Sequence, residues 1–445
     1  MTKREKHLEN IYTSKYIQEL ENTYCTSRSA IVSQVGLSCG SASLPTRIIN
    51  GGRKILYTAA MTGMLVNNLN LYAYADLIVN AGETSTGLKV GTGAANNVVS
   101  VLSNYGTTIS TIVNSGGQEI VYDGGVTSHT IISYGGVQSV LSGGEVSNTT
   151  ISAGGIQTIE NGGIAYIVAV REGGAVQNVA GIASGVTIYS AATQNVLSGG
   201  VANNIAISAN GKQSVYLGGE TNNVTISNGG SQYVAGSASG TTISAINIPT
   251  IQNILSGGVA TNTTLSVVNN GAIAKQIVSE GGTANSTTLN SGGSQFLSGG
   301  TANDTIVNNY GYQHISEGGV ANNTILNTQG RQTIYSGGQA SNTIINETGS
   351  QTISAGGYAL STHVSSGGNQ YILSGGSADY TSVFASGNQY VSSGGVANNN
   401  TVYDEGRLYA VNGAIINGAV ITGGGYSYVA SGATATSTTL GSGGR

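Results

Sequence analysis

From about residue 100 onward the chain alternates apolar and polar positions in short runs, each broken by glycine. Gly-Gly pairs start at 116, 124, 135, 143, 154, 162 and 173, so the steps alternate between 8 and 11 and sum to 19. After irregular stretches the rhythm returns at 199, 218, 229, 318, 337, 356, 367, 375 and 394. A glutamine follows the longer step, at Gln118, Gln138, Gln157, Gln177 and onward to Gln370 and Gln389. Two places after each glutamine stands an aliphatic residue, from Ile120, Val140 and Ile159 through Val215 and Ile334 to Val391. A spacing of two puts the glutamine and the aliphatic on one face of a strand. The other half of each unit has its own columns. Asn148, Asn204, Asn223, Asn262, Asn323, Asn342 and Asn399 are each followed, three residues on, by an aliphatic: Ile151, Ile207, Ile226, Leu265, Leu326, Ile345 and Val402.

An apolar period of 2, with Gly or Asn recurring throughout, excludes helix. Short strands repeated with fixed turns predict an all-β chain: a right-handed parallel β-helix, or solenoid, of ~19-residue repeats. Equivalent residues stack at ~4.8 Å from coil to coil, so roughly 19 turns make a rod of about 90 Å. The aliphatic columns become its core, and the Gln and Asn columns become amide ladders. Gly-Gly supplies positive φ at the corners. The spacing stretches over 235–251 and again between Gln252 and Gln276, which reads as loops bulging from the rod.

Composition narrows the class. The chain has 70 glycines, two prolines and 8% charged residues. Collagen requires Gly at every third position with abundant proline, and disorder goes with few β-branched residues and high charge, so neither fits. The N-terminal part differs: it holds Lys3, Arg4, Lys6 and both cysteines, Cys25 and Cys39. After Arg53-Lys54 a mostly apolar run from Ile55 to Leu71 leads to Ala73-Tyr74-Ala75. This order reads as a long secretory signal region over 1–75, cleaved between Ala75 and Asp76. The start of the solenoid then covers 76–99 and the repeats 100–445. From Asp76 onward there is no cysteine, and fifteen Asp/Glu stand against seven Lys/Arg. That acidic balance, without a basic stripe, argues against a nucleic-acid partner.

Catalytic chemistry is hard to find. Glu145 and Glu160, or Glu280 and Asp304, lie at spacings that do not stack them, and Asp404-Glu405 is the sole adjacent acidic pair of the repeats. His129, His314 and His363 show no ligand spacing. The Asp-bearing calcium nonapeptide and nucleotide-binding fingerprints are missing. The sequence thus assigns no catalytic residue, metal site or cofactor. What recurs is hydroxyl and amide: Ser142, Ser198, Ser256, Ser298, Ser336 and Ser374 each precede Gly-Gly.

The unit Gly-Gly-x-Gln-x-Val-x-Ser-Gly-Gly-x-Ala-x-Asn-Thr-x-Ile resembles the passenger repeats of AIDA-type autotransporter adhesins of Gram-negative bacteria, from about residue 100 to the C-terminus. The resemblance implies a passenger exported through the periplasm to the cell surface or secreted, mediating host-cell attachment, autoaggregation and biofilm formation. It implies a host receptor or glycan as partner. It also implies heptose on repeat Ser or Thr, for which the six serines are candidates, added by a heptosyltransferase. An outer-membrane β-barrel exporter is a further implied partner, although the stretch to Arg445 holds no ~10-residue lipid-facing strands. Strand-like sequence up to Leu440 leads us to expect self-association through ends and sides. A carbohydrate-active β-helix enzyme is the rival reading and would need two acids within reach on adjacent turns. An ice- or mineral-binding solenoid would need a Thr-x-Thr face on every turn, and Asn148 stands where the partner of Thr150 should be.

Overall fold

The computed structural model describes residues 75–91, 99–269 and 272–445. The chain divides into a unit Met1–Thr58, wholly outside the described residues, and a unit Ala59–Arg445. The proposed signal region up to residue 74 therefore lies outside them as well; Ala75 opens the first described strand, Ala75–Val79. All regular structure among the described residues is β-strand.

Each coil contributes one strand to a first, 19-stranded sheet and one longer or two shorter strands to a second sheet. Pairing is parallel throughout, coil upon coil: Gln138 aligns with Gln157, Gln157 with Gln177 and Gln177 with Gln194. This is the expected β-solenoid. Its core is five inward columns. Gln and the aliphatic two places on come from the first sheet, and a small residue, usually Ala, begins the second. After a corner come Thr or an aliphatic, then Ile, Leu or Val. Val140, Ile159, Val215 and Ile334 are at most 1% exposed, as are Ile151, Ile207, Leu326 and Val402 of the other column.

The glutamines from Gln138 to Gln389 in this column are fully buried. A buried amide must find partners, and stacking supplies them. From Gln157 to Gln389 each Nε2 donates to the Oε1 of the glutamine one coil earlier, at 2.6–2.8 Å. The neighbouring small column gives this long side chain its room. Where Thr221 replaces Ala in that column, its hydroxyl accepts from Gln213 Nε2 at 3.2 Å.

The first coil of this column corrects the expected register. Gln118 aligns with Val137, not Gln138, and is half-buried, as is Ile120. Glu119 and Val121 take the inward places. The ladder therefore starts on a carboxylate, which accepts from Gln138 Nε2 at 2.7 Å and from the Thr108 hydroxyl at 3.0 Å. Thr127 and Thr130 add longer bonds. Burial pushes the Glu119 carboxyl above the usual range, while the bonds from Gln138, Thr108, Thr127 and Thr130 oppose that shift. Leu102 lies under Glu119 and Leu408 over Gln389, so the polar column is bounded by leucine at both ends.

Two kinds of corner turn the chain. In the Gly-Gly turn the two glycines serve different needs. Gly394 has φ +73°, whereas a Cβ on Gly395 would come 2.7 Å from the Ile372 carbonyl oxygen of the coil beneath. The second corner is the Asn column. Asn148, Asn204, Asn223, Asn262, Asn323, Asn342 and Asn399 all have φ of 52–57°, the left-handed region that Asn tolerates better than most residues. This column marks a bend within the second sheet. Ile167 holds the same conformation at φ 52°. The expected loop over 235–251 also shrinks. Ser237–Ala245 is a regular strand, and only 246–249 leaves the pattern.

Candidate functional surface

With its interior filled by stacked side chains, the rod offers chemistry only on its corners and outer faces. The six candidate serines, Ser142, Ser198, Ser256, Ser298, Ser336 and Ser374, are all exposed at the corner that ends a first-sheet strand. The glycines there stack as their own ladder: Gly337 N–H donates to Gly356 O, Gly356 to Gly375, and Gly375 to Gly394, at 2.8–2.9 Å. Serine thus recurs along one edge, interleaved with Glu317 and Ala355. The glycine one coil later lies over the hydroxyl. A Cβ at Gly218, Gly281, Gly356 or Gly394 would stand 2.6–2.8 Å from the Oγ of Ser198, Ser256, Ser336 or Ser374. Its absence keeps the hydroxyl open. Ser393 occupies the same place ahead of Gly394-Gly395; the same Ser-Gly-Gly spacing would have revealed it.

The carboxylates named from the sequence take separate places. Glu145 stacks between Val126 and Ile164. Asp304 and Asp379 instead head amide ladders, as Glu119 does. Asp304 Oδ1 accepts from Asn323 Nδ2 at 3.0 Å, and Asn323 Oδ1 accepts from Asn342. Asp379 Oδ1 accepts from Asn398 Nδ2 at 2.6 Å, and the run continues through Asn417 to the Thr436 hydroxyl. In each ladder the amide N–H groups point toward the earlier coil. A carboxylate, which can only accept, fits that end as an anion fits the N-terminus of a helix. Among the described residues no three His, Cys, Asp or Glu come together as a metal site. His314 lies instead between stacked rings, 4.7 Å from Phe296 and 6.1 Å from Tyr335. Burial and then the Lys275 ammonium hold its pKa below the usual histidine value.

The outer face of the first sheet carries a feature that sequence reading missed. Lys212, Lys275 and Arg331 each precede a ladder glutamine, and Arg407 precedes Leu408 in the same register. They stack in one column: Lys212 aligns through Ser231 and Ile251 with Lys275, then through Ser294 and Tyr312 with Arg331. The column continues through Ser350, Asn369 and Asn388 to Arg407, then to Tyr426. Arg445 follows one coil later, its N–H on Gly425 O as that of Tyr426 is on Gly406 O. A basic stripe therefore exists, made by stacking residues far apart in sequence. Rings stand beside it. Lys212 Nζ is 4.7 Å from the Tyr233 ring and Lys275 Nζ 5.3 Å from Phe296, while Tyr371, Tyr390 and Tyr409 stack at 5.1 Å. From Val137 to Val429 the strands of this sheet hold no Asp or Glu.

No curated protein matches the chain. Among solved structures it is similar to a TibC-catalysed hyper-glycosylated TibA fragment, at 29% identity over 80% of this chain and 99% of that one, with a TM-score of 0.37. It is also similar to the PL6 family alginate lyase AlyGC, at 9% identity over 83% and 98% of the two chains, TM-score 0.22. Residues 308–368, which span three turns of the ladder from Gln313 to Gln351, match the family model of the adhesin of bacterial autotransporter systems, probable stalk.

Proposed function

We propose that this chain is the rod-shaped passenger of an autotransporter adhesin, carried at the surface of a Gram-negative cell and acting by contact rather than catalysis. The observation that carries the reading is the stalk match over 308–368, set in a solenoid whose columns continue unchanged on either side. The carboxylates support it, since Asp304, Asp379 and Glu119 are taken up as ladder heads. On this reading the rod attaches cells to host surfaces and to one another, and the open serines of the Gly-Gly edge accept O-linked sugar from a glycosyltransferase. The test is display of the chain, fused to a translocator barrel, on non-adherent cells. Displaying cells should settle out of suspension and bind epithelial monolayers, while barrel-only cells should not. Equal behaviour of the two would sink the reading. Peptide mass mapping after co-expression with a heptosyltransferase should find sugar on Ser142, Ser198, Ser256, Ser298, Ser336 and Ser374. Modification confined to the second sheet would exclude that edge.

A further inference from the structure

The cation column on the first sheet suits one kind of partner. Five of the seven Lys/Arg from Asp76 onward lie in it, the exceptions being Lys89 and Arg171 on the second sheet. The rod around them is acidic overall. The contacts made by Lys212, Lys275 and Arg331 are with rings, which leaves their charge uncancelled. Counted in coils the intervals are three, three, four and two, or roughly 14, 14, 19 and 10 Å at ~4.8 Å per coil. Each interval exceeds the ~8 Å Debye length at physiological salt, so the five charges act as separate contacts on one straight line. No small anion can reach two of them. A chain lying along the rod can reach all five.

We propose that this face binds an acidic polysaccharide laid parallel to the rod axis, its carboxylates meeting the cation column. The inference rests on the adhesin reading and names a ligand class and a face for it. Between the cations the face presents Ser, Thr, Asn and Tyr, whose hydroxyls and amides match sugar hydroxyls, together with Ile251, Ile277, Phe296 and His314. A duplex nucleic acid carries a charge every ~1.7 Å, which so sparse a column cannot neutralise. A single strand needs free ring faces for its bases. Here rings such as Tyr371, Tyr390 and Tyr409 stack on each other and turn their edges outward. Among the described residues the acids of a second copy fall in different columns and match no such row: Glu280 and Glu317 lie two coils apart on the Gly-Gly edge, Glu145 stacks between Val126 and Ile164, Asp304 and Asp379 are held in ladders and Glu119 is buried.

The experiment measures binding of the purified full-length chain to sodium alginate, to dextran of equal length and to duplex DNA, at low and moderate salt. Alginate should bind, dextran should not, and salt should weaken the alginate complex. Replacing Lys212, Lys275, Arg331, Arg407 and Arg445 together by Gln should reduce alginate binding at least tenfold, because the contacts sum along one chain. Arg331→Gln alone should cost two- to threefold, whereas Lys89→Gln should cost nothing. Alginate oligomers too short to span one interval should bind far more weakly. These substitutions are on the outer face, and circular dichroism with sedimentation checks that the rod is intact. Unchanged binding by the fivefold variant, equal binding of dextran or preference for DNA would each overturn the inference. So would a parent that self-associates while the fivefold variant stays monomeric, since the face would then meet a second copy. Cell attachment by the displayed fivefold variant separates the two readings. Attachment retained with alginate binding lost leaves the adhesin reading standing and removes this face from it.

Discussion

The stretch from Glu145 to Ala245 and that from Val259 to Val402 share one ladder and one register, yet they solve the problem of a buried amide differently. In the later stretch the residue after the corner is Thr, at 263, 287, 305, 324, 343, 362 and 381, before Asn400 ends the row, and its hydroxyl donates to the ladder at 3.1–3.3 Å. From Gln252 to Gln370 each Oε1 accepts two bonds and uses both lone pairs, and only Gln389 at the end of the ladder does not. In the earlier stretch that place holds Val168, Val186, Ile205 and Val224, flanked by Thr149 and Thr241, whose buried hydroxyls have no partner. Each Oε1 there accepts from the next glutamine and from no hydroxyl. The second-sheet strands also differ: they run through the corner for seven to nine residues in the first stretch and split into pieces of three and two in most later coils. One column of side chains is thus either a second row of donors or a second row of hydrocarbon. A solenoid accepts both because each coil answers only to its neighbours.

The largest expected effect tests what the two stretches share. Val215→Asp and Ile334→Asp each place an unpaired charge in the aliphatic column and should cost roughly 3–5 kcal/mol in either stretch. Urea unfolding that matched the parent for both variants would refute the register. The next effect separates them. Gln332→Leu strands two ladder neighbours and the Thr343 hydroxyl, whereas Gln194→Leu strands the two neighbours alone. We expect about 3 kcal/mol against about 2 kcal/mol, read as loss of amide hydrogen-exchange protection in the adjoining coils. Equal losses would mean that the threonine row adds nothing.

Glu119 sharpens the comparison at the ladder's head. Its folded pKa lies above the unfolded value, so its contribution to stability is full below the ordinary glutamate pKa and is lost as pH rises through the raised value. Glu119→Gln should abolish that fall and leave the N-terminal coils more stable than the parent at neutral pH. Thermal melts across the acid range decide this, and an unchanged pH profile would show that Glu119 does not govern it. The smallest pair is the most direct. Thr324→Val should cost about 1 kcal/mol, and Thr149→Val should be neutral or gain up to about 1 kcal/mol, because one removes a donor in use and the other an unpartnered buried hydroxyl. The same sign for both would erase the distinction.

Much of this was legible in the sequence because a solenoid writes each inward column at a fixed interval. Glutamine and the aliphatic two places on announced a shared face, and both proved inward. The first coil misled because Gln118 is a glutamine and Glu119 is not. Counting from the second glycine, as in Gly136-Val137-Gln138, would have placed Glu119 in the column through Gly117-Gln118-Glu119. The Asn column was visible as a column but not as a bend. Its substitutes elsewhere, Ser286, Asp304, Gly240 and His129, share a tolerance for positive φ rather than a taste for strands. The cation stripe escaped because charge was weighed along the chain, whereas the fold sums it across coils. The unpaired hydroxyls of Thr149 and Thr241 could not be read at all, since Thr263 and Thr287 stand in the same column with their hydroxyls bonded to the ladder.

The bonds that join coil to coil, backbone and glutamine alike, run nearly parallel to the rod. Tension applied along its length would therefore load them head-on and one coil at a time, as in drawing thread from a spool. A coil that adds ~4.8 Å to the folded length releases about 60 Å once its 19 or so residues are drawn out. Under load such a rod lengthens more than tenfold per coil before any covalent bond is strained. At the boundary above Gln389, where the ladder gives way to Leu408 and the Gln389 Oε1 has no partner, the thread is held by one bond fewer.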